Sequence, residues 1–117
     1  MKHAFPTAFL LLFCCATHGQ DWTPNQVDSL RARWQDPALS DSARHNAMQD
    51  LIFGGMYSAP SDSGLKWSRE LLGFARQRDL KRLEATALNL CGIFFNNQNQ
   101  WDSAEVSYLQ SLSLIHI

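Results

Sequence analysis

Cysteine is scarce in this sequence. Of three cysteines, Cys14 and Cys15 fall in the first twenty residues and only Cys91 lies beyond them. The rest of the chain can therefore build neither an internal disulfide nor a cysteine metal site, and a lone thiol among apolar neighbours is expected to be buried. An excess of charge is missing too. Ten Lys and Arg against eleven Asp and Glu leave a net charge of −1, which offers no electrostatic footprint for nucleic acid or an anionic membrane surface. Alternation of period two is absent over any useful length, and β-branched runs are few, so helix is favoured over strand. There is no glycine-rich loop followed by Lys-Ser or Lys-Thr, and no serine in a nucleophile-elbow setting. Outside the two ends of the chain the only histidine is His45, with Asp41 alone at helical spacing beside it. No catalytic residue, metal site or cofactor is expected of this chain.

The first residues differ from the rest. Lys2 and His3 form a basic start, Ala8 to Ala16 is continuously apolar, and Thr17-His18-Gly19 supplies small residues near a cleavage point. This reads as a secretory signal peptide over 1–19, which places the mature chain in a secreted or periplasmic compartment. The apolar run is about half the ~20 residues needed to span hydrocarbon. A lipid-anchored variant fits poorly, because Phe13 or Cys14 would stand where a small residue is wanted.

Five amphipathic helices follow. Thr23-Pro24-Asn25-Gln26 has the form of a capping box with proline in the first turn; Val27, Leu30 and Trp34 carry the apolar stripe, and Asp36-Pro37 ends it. Residues 20–40 thus form a lead helix and linker. Ser40 or Asp41 starts a second helix with Ala43, Ala47, Met48, Leu51, Ile52 and Met56 at helical spacing. Asp62 is expected to cap a third helix and Asp79 a fourth, and a fifth begins near Asp102. Trp22, Trp34, Trp67 and Trp101 are expected to pack, Trp101 between paired helices. Arg76-Gln77-Arg78 with Lys81-Arg82 reads as a solvated helix end suited to the helix dipole.

The helices repeat in pairs. An offset of 40 residues lays Asp62-Ser63-Gly64 on Asp102-Ser103-Ala104 and Ala47-Met48 on Ala87-Leu88. In the second pair, 79–111, Leu88, Cys91, Gly92, Phe95, Ala104 and Tyr108 fall at the spacing of the tetratricopeptide repeat, which this segment resembles. Small residues at a helix crossing allow close approach, and larger ones fill the space on either side. The first pair, 41–78, is a degenerate copy, with Ile52, Gly55, Gly64 and Ser68 at the corresponding positions. The resemblance implies an all-α right-handed solenoid of antiparallel helix pairs. It also implies that the first helix of each pair lines a groove, through Asn46, Gln49, Phe53 and Met56, then Thr86, Asn89, Ile93 and Asn96. Such an amide-rich surface suits a protein or peptide ligand, without basic residues to clamp a terminal carboxylate.

Repeats of this type need neighbours on both faces, and the last helix has none in this sequence. The segment Leu112 to Ile117 is similar to the translation of a transposon-derived sequencing adapter. The chain is therefore expected to be the N-terminal piece of a longer protein, with 112–117 a non-native tail. The arrangement looks like extracytoplasmic tetratricopeptide proteins of the Bacteroidetes type, where such repeats precede a membrane helix and a signalling domain. On that resemblance the piece is the sensor portion of a larger protein, attached to the membrane through a downstream segment. The intact protein would then be a histidine kinase or nucleotide cyclase, or alternatively an envelope scaffold.

Overall fold

The computed structural model describes residues 22–55 and 61–115; the expected signal peptide and Met56 lie outside them. The described chain is all-α: α1 (Pro24–Gln35), α2 (Asp41–Gly55), α3 (Ser61–Gln77), α4 (Lys81–Asn97) and α5 (Trp101–Ile115). The last four helices begin at 41, 61, 81 and 101, twenty residues apart, so helix starts fall on the 40-residue offset of the sequence.

Local chemistry sets the boundaries. At α1 the Thr23 amide donates to Gln26 Oε1 at 2.8 Å and the Gln26 amide to Thr23 Oγ1 at 3.3 Å. Both orphan donors of the first turn are thereby satisfied. Ser40, rather than Asp41, caps α2, its Oγ accepting from the Ala43 amide at 3.2 Å. Asp62 sits inside the first turn of α3 and accepts from Gln98 Nε2 at 2.8 Å instead of capping.

Asp79 does not cap α4 as its sequence context suggested. It lies in the left-handed region at φ 56°, and Leu80 is the N-cap. The Leu80 amide reaches back to Ala75 O at 2.9 Å and the Asp79 amide to Arg76 O at 3.3 Å, a Schellman ending for α3. The same arrangement recurs twenty residues on, with Asn99 at φ 60° and the Gln100 amide bonded to Phe95 O at 2.9 Å. In both loops the residue closing one helix also starts the next, which accounts for the tight, equal spacing. A short polar side chain tolerates this conformation better than most, so the acidic residue ends a helix here rather than beginning one.

Each helix packs on its neighbours in the chain. The core joins Met48, Leu51 and Ile52 of α2, Leu71 and Ala75 of α3, and Ala87, Leu90, Cys91 and Phe94 of α4. Burial of each large side chain contributes about 1.5–3 kcal/mol. Glycines mark the closest approaches. A Cβ at Gly64 would overlap the Phe94 ring, and one at Gly92 would stand 2.5 Å from Tyr108 Cε1. Gly54 makes room for Trp22, whose Nε1 donates to Asp50 O at 2.8 Å.

The junction of α1, α2 and α3 is built on cations and rings. The Arg44 guanidinium lies 5.9 Å from the Trp34 ring centre and 5.2 Å from that of Phe74, and its Nε donates to Trp34 O at 2.9 Å. Arg78 stacks 3.7 Å over Phe74 and pairs with Asp41 at 3.1 Å. Arg78 thus ties α3 to α2 rather than standing as a solvated exit. Trp101 also departs from expectation, being 60% exposed. It is the first residue of α5, and helical side chains lean toward the N-terminus, so its indole projects past the helix instead of between the pair.

Candidate functional site

Two clefts open on the α4 side of the molecule. One, of about 550 Å³, lies between α2 and α4 and is lined by His45, Gln49, Leu80, Lys81, Arg82 and Thr86, among others. The second, of about 910 Å³, lies between α4 and α5 and adds Ala85, Asn89, Tyr108 and Ser111, together with Leu112, Leu114 and Ile115 of the expected non-native tail. Lys81, Arg82 and Thr86 line both, so the two adjoin across the N-terminal half of α4 and are together called the groove.

Helical spacing explains who faces it. Lys81, Ala85 and Asn89 recur every four residues, with Arg82 and Thr86 beside them, which puts all five on one face of α4. His45 and Gln49 are one turn apart on α2, and Gln49 Nε2 meets His45 Nδ1 at 3.1 Å. The floor on the α5 side is fixed by Ser111, a buried residue whose hydroxyl donates to Ala85 O at 2.8 Å. The Thr86 hydroxyl donates back to Arg82 O at 3.1 Å, leaving its oxygen able to accept.

The charges are uneven. Lys81 Nζ lies 3.2 Å from Asp79 and 3.9 Å from Glu84. Arg82 has no ion-pair partner among the described residues. Burial lowers the His45 pKa below its ordinary 6.5, partly opposed by the charge of Asp41. A neutral imidazole whose Nδ1 accepts from Gln49 carries its proton on Nε2. Cys91 lies away from the groove, in the core; burial raises its pKa, against the weaker pull of Arg69 and Arg76. That holds it as an unreactive thiol.

Of the groove residues read from the sequence, Gln49, Thr86 and Asn89 come together on these clefts. Asn46 and Asn96 are exposed on the same two helices, Phe53 is 50% exposed, and Ile93 packs against the core. None of these four lines either cleft. Leu88, Cys91, Gly92 and Ala104 are buried, while Phe95 and Tyr108 are partly so. Phe94, unmarked in the sequence reading, takes the fully buried position against Gly64, whereas Phe95 lies under the Arg69 guanidinium at 5.5 Å.

Sequence reasoning also missed Lys81, Arg82, His45, Tyr108 and Ser111 as groove residues. The first two were findable, since they stand one turn before Ala85 and Thr86. Their presence makes the groove a charged surface rather than the uncharged amide face expected. No group of three or more His, Cys, Asp or Glu stands in metal-binding arrangement among the described residues. The clefts offer amides, hydroxyls and cations as hydrogen-bonding and charged groups.

The chain matches no protein-family model, no curated protein and no solved structure.

Proposed function

We propose that this chain is a binding module of helix pairs, in the manner of tetratricopeptide repeats stacked as a right-handed solenoid, that holds a protein or peptide segment in the groove across α4. The observation that carries this reading is that the two clefts adjoin at Lys81, Arg82 and Thr86. Gln49 on α2 lines one cleft and Asn89 on α4 the other, and their amides can pair with peptide groups of a bound backbone. The signal-like start of the sequence supports binding outside the cytoplasm, secreted or periplasmic. On the tetratricopeptide resemblance we read the module as the sensor portion of a larger protein.

The test is selection of displayed random peptides on the full chain, followed by affinity measurement against Gln49→Ala/Asn89→Ala. Selected peptides should bind the parent chain and lose about ten-fold in the double variant, as two neutral hydrogen bonds at about 0.5–1.5 kcal/mol each imply. Enrichment of peptides indifferent to both substitutions would place binding elsewhere and refute the reading.

A further inference from the structure

We propose that the segment held by this groove carries an acidic side chain at the point where the two clefts meet, and that Arg82 receives its carboxylate. The inference rests on the peptide-binding reading of the groove and adds the chemical class of the ligand.

The argument is a balance of charge along the trough. Among the lining residues the charged side chains are Asp79, Lys81 and Arg82. Asp79 and Lys81 satisfy each other at 3.2 Å, and Lys81 is further held by Glu84 at 3.9 Å. Arg82 is exposed and unpaired among the described residues. It is therefore the one uncompensated charge in the trough, and it stands at the junction that any ligand spanning both clefts must cross. A guanidinium presents a planar fork of donors matched to a carboxylate. His45 adds a neutral N–H donor on the α2 side. Leu80 lies on one side of the junction and Tyr108 on the other, which suits apolar residues flanking the acid. A basic segment would meet Arg82 with like charge, and a neutral one would leave it unpaired.

The experiment uses fluorescein-labelled peptides that alternate leucine and serine around one central residue, either Glu, Gln or Lys. Binding to the full chain is followed by fluorescence anisotropy. The Glu peptide should bind about five-fold tighter than the Gln peptide, a modest ratio because the pair is partly exposed, and the Lys peptide weakest. The Glu preference should fade between about 0.05 M and about 0.5 M salt as screening shortens the reach of charge. Arg82→Gln should abolish the preference, bringing the Glu and Gln peptides to equal affinity, and Arg82→Glu should shift it toward Lys. Equal binding of Glu and Gln peptides, or a Glu preference that survives Arg82→Gln, overturns this proposal while the groove reading stands. Failure of all three peptides to bind overturns both.

Discussion

Replacing Gly64 with alanine places a methyl group where the structure has an aromatic ring. Phe94 is 1% exposed, and three of its ring atoms would crowd the new Cβ, the farthest of them, Cδ1, at 2.7 Å. Ordinary carbon contacts lie at about 3.5–4.0 Å, so the ring must move by about 1 Å in a core that has no room for it. Overpacking of this kind costs about 1–3 kcal/mol, and the severity of the overlap argues for the upper end. Alanine in a helix is favoured over glycine by about 1 kcal/mol, which leaves a net loss of about 2 kcal/mol. For a domain of this size that lowers Tm by about 10 °C. Gly73 on the same helix provides the control. It is exposed, and a Cβ there meets nothing within 4 Å, so Gly73→Ala should stabilise by about 0.5–1 kcal/mol. The assay is urea and thermal unfolding followed by circular dichroism at constant protein concentration. A double-mutant cycle sharpens it: in a Phe94→Leu background, Gly64→Ala should become neutral or stabilising, a coupling of about 2 kcal/mol. If Gly64→Ala behaves like Gly73→Ala, or the cycle shows no coupling, the packing of α3 on α4 described above is wrong.

Other outcomes follow from the helix ends and the groove. Asn99, at φ 60°, should be replaceable by glycine with a gain of about 0.5–1 kcal/mol and by alanine only with a loss of about 1 kcal/mol, measured by urea unfolding. Thr23→Ala removes one half of the capping box and should cost about 1 kcal/mol of local stability, read as faster amide exchange in α1. His45, its pKa lowered by burial from the ordinary 6.5, takes up a proton more readily in the unfolded chain. Its contribution to stability is therefore complete above 6.5 and falls as the pH drops through that value toward the lower folded pKa. His45→Gln should flatten the stability profile in that window, and an unchanged profile would show that the imidazole is solvated.

Helix identity was legible because it depends on residues close in sequence. Thr23, Pro24 and Gln26 declare the start of α1 without reference to anything else in the chain. The 40-residue offset is a pattern of the sequence itself, and the helix starts at 41 and 81, and at 61 and 101, fall on it. What escaped notice depends on how one helix leans on another. Phe94 and Phe95 are equivalent in composition, and only the position of α3 decides that Phe94 meets Gly64 while Phe95 meets Arg69. Arg78 read as a solvated exit because its partners, Asp41 and Phe74, lie on other turns and another helix. Asp79 was misassigned because aspartate serves both as an N-cap and as a left-handed C′ residue, and the three-residue link between α3 and α4 decides for the second. For the groove, counting back one turn from Thr86 would have reached Arg82. The contribution of α5 through Tyr108 and Ser111 needed the packing itself.

The most direct test of the groove reading is a backbone amide shift map of the full chain, titrated with a peptide selected for binding. Shifts concentrated at Gln49, Arg82, Thr86 and Asn89, with Trp101 and the exposed Val106 and Leu109 unmoved, are the predicted result. Shifts gathered instead on the outer face of α5, with the α4 residues silent, would contradict it.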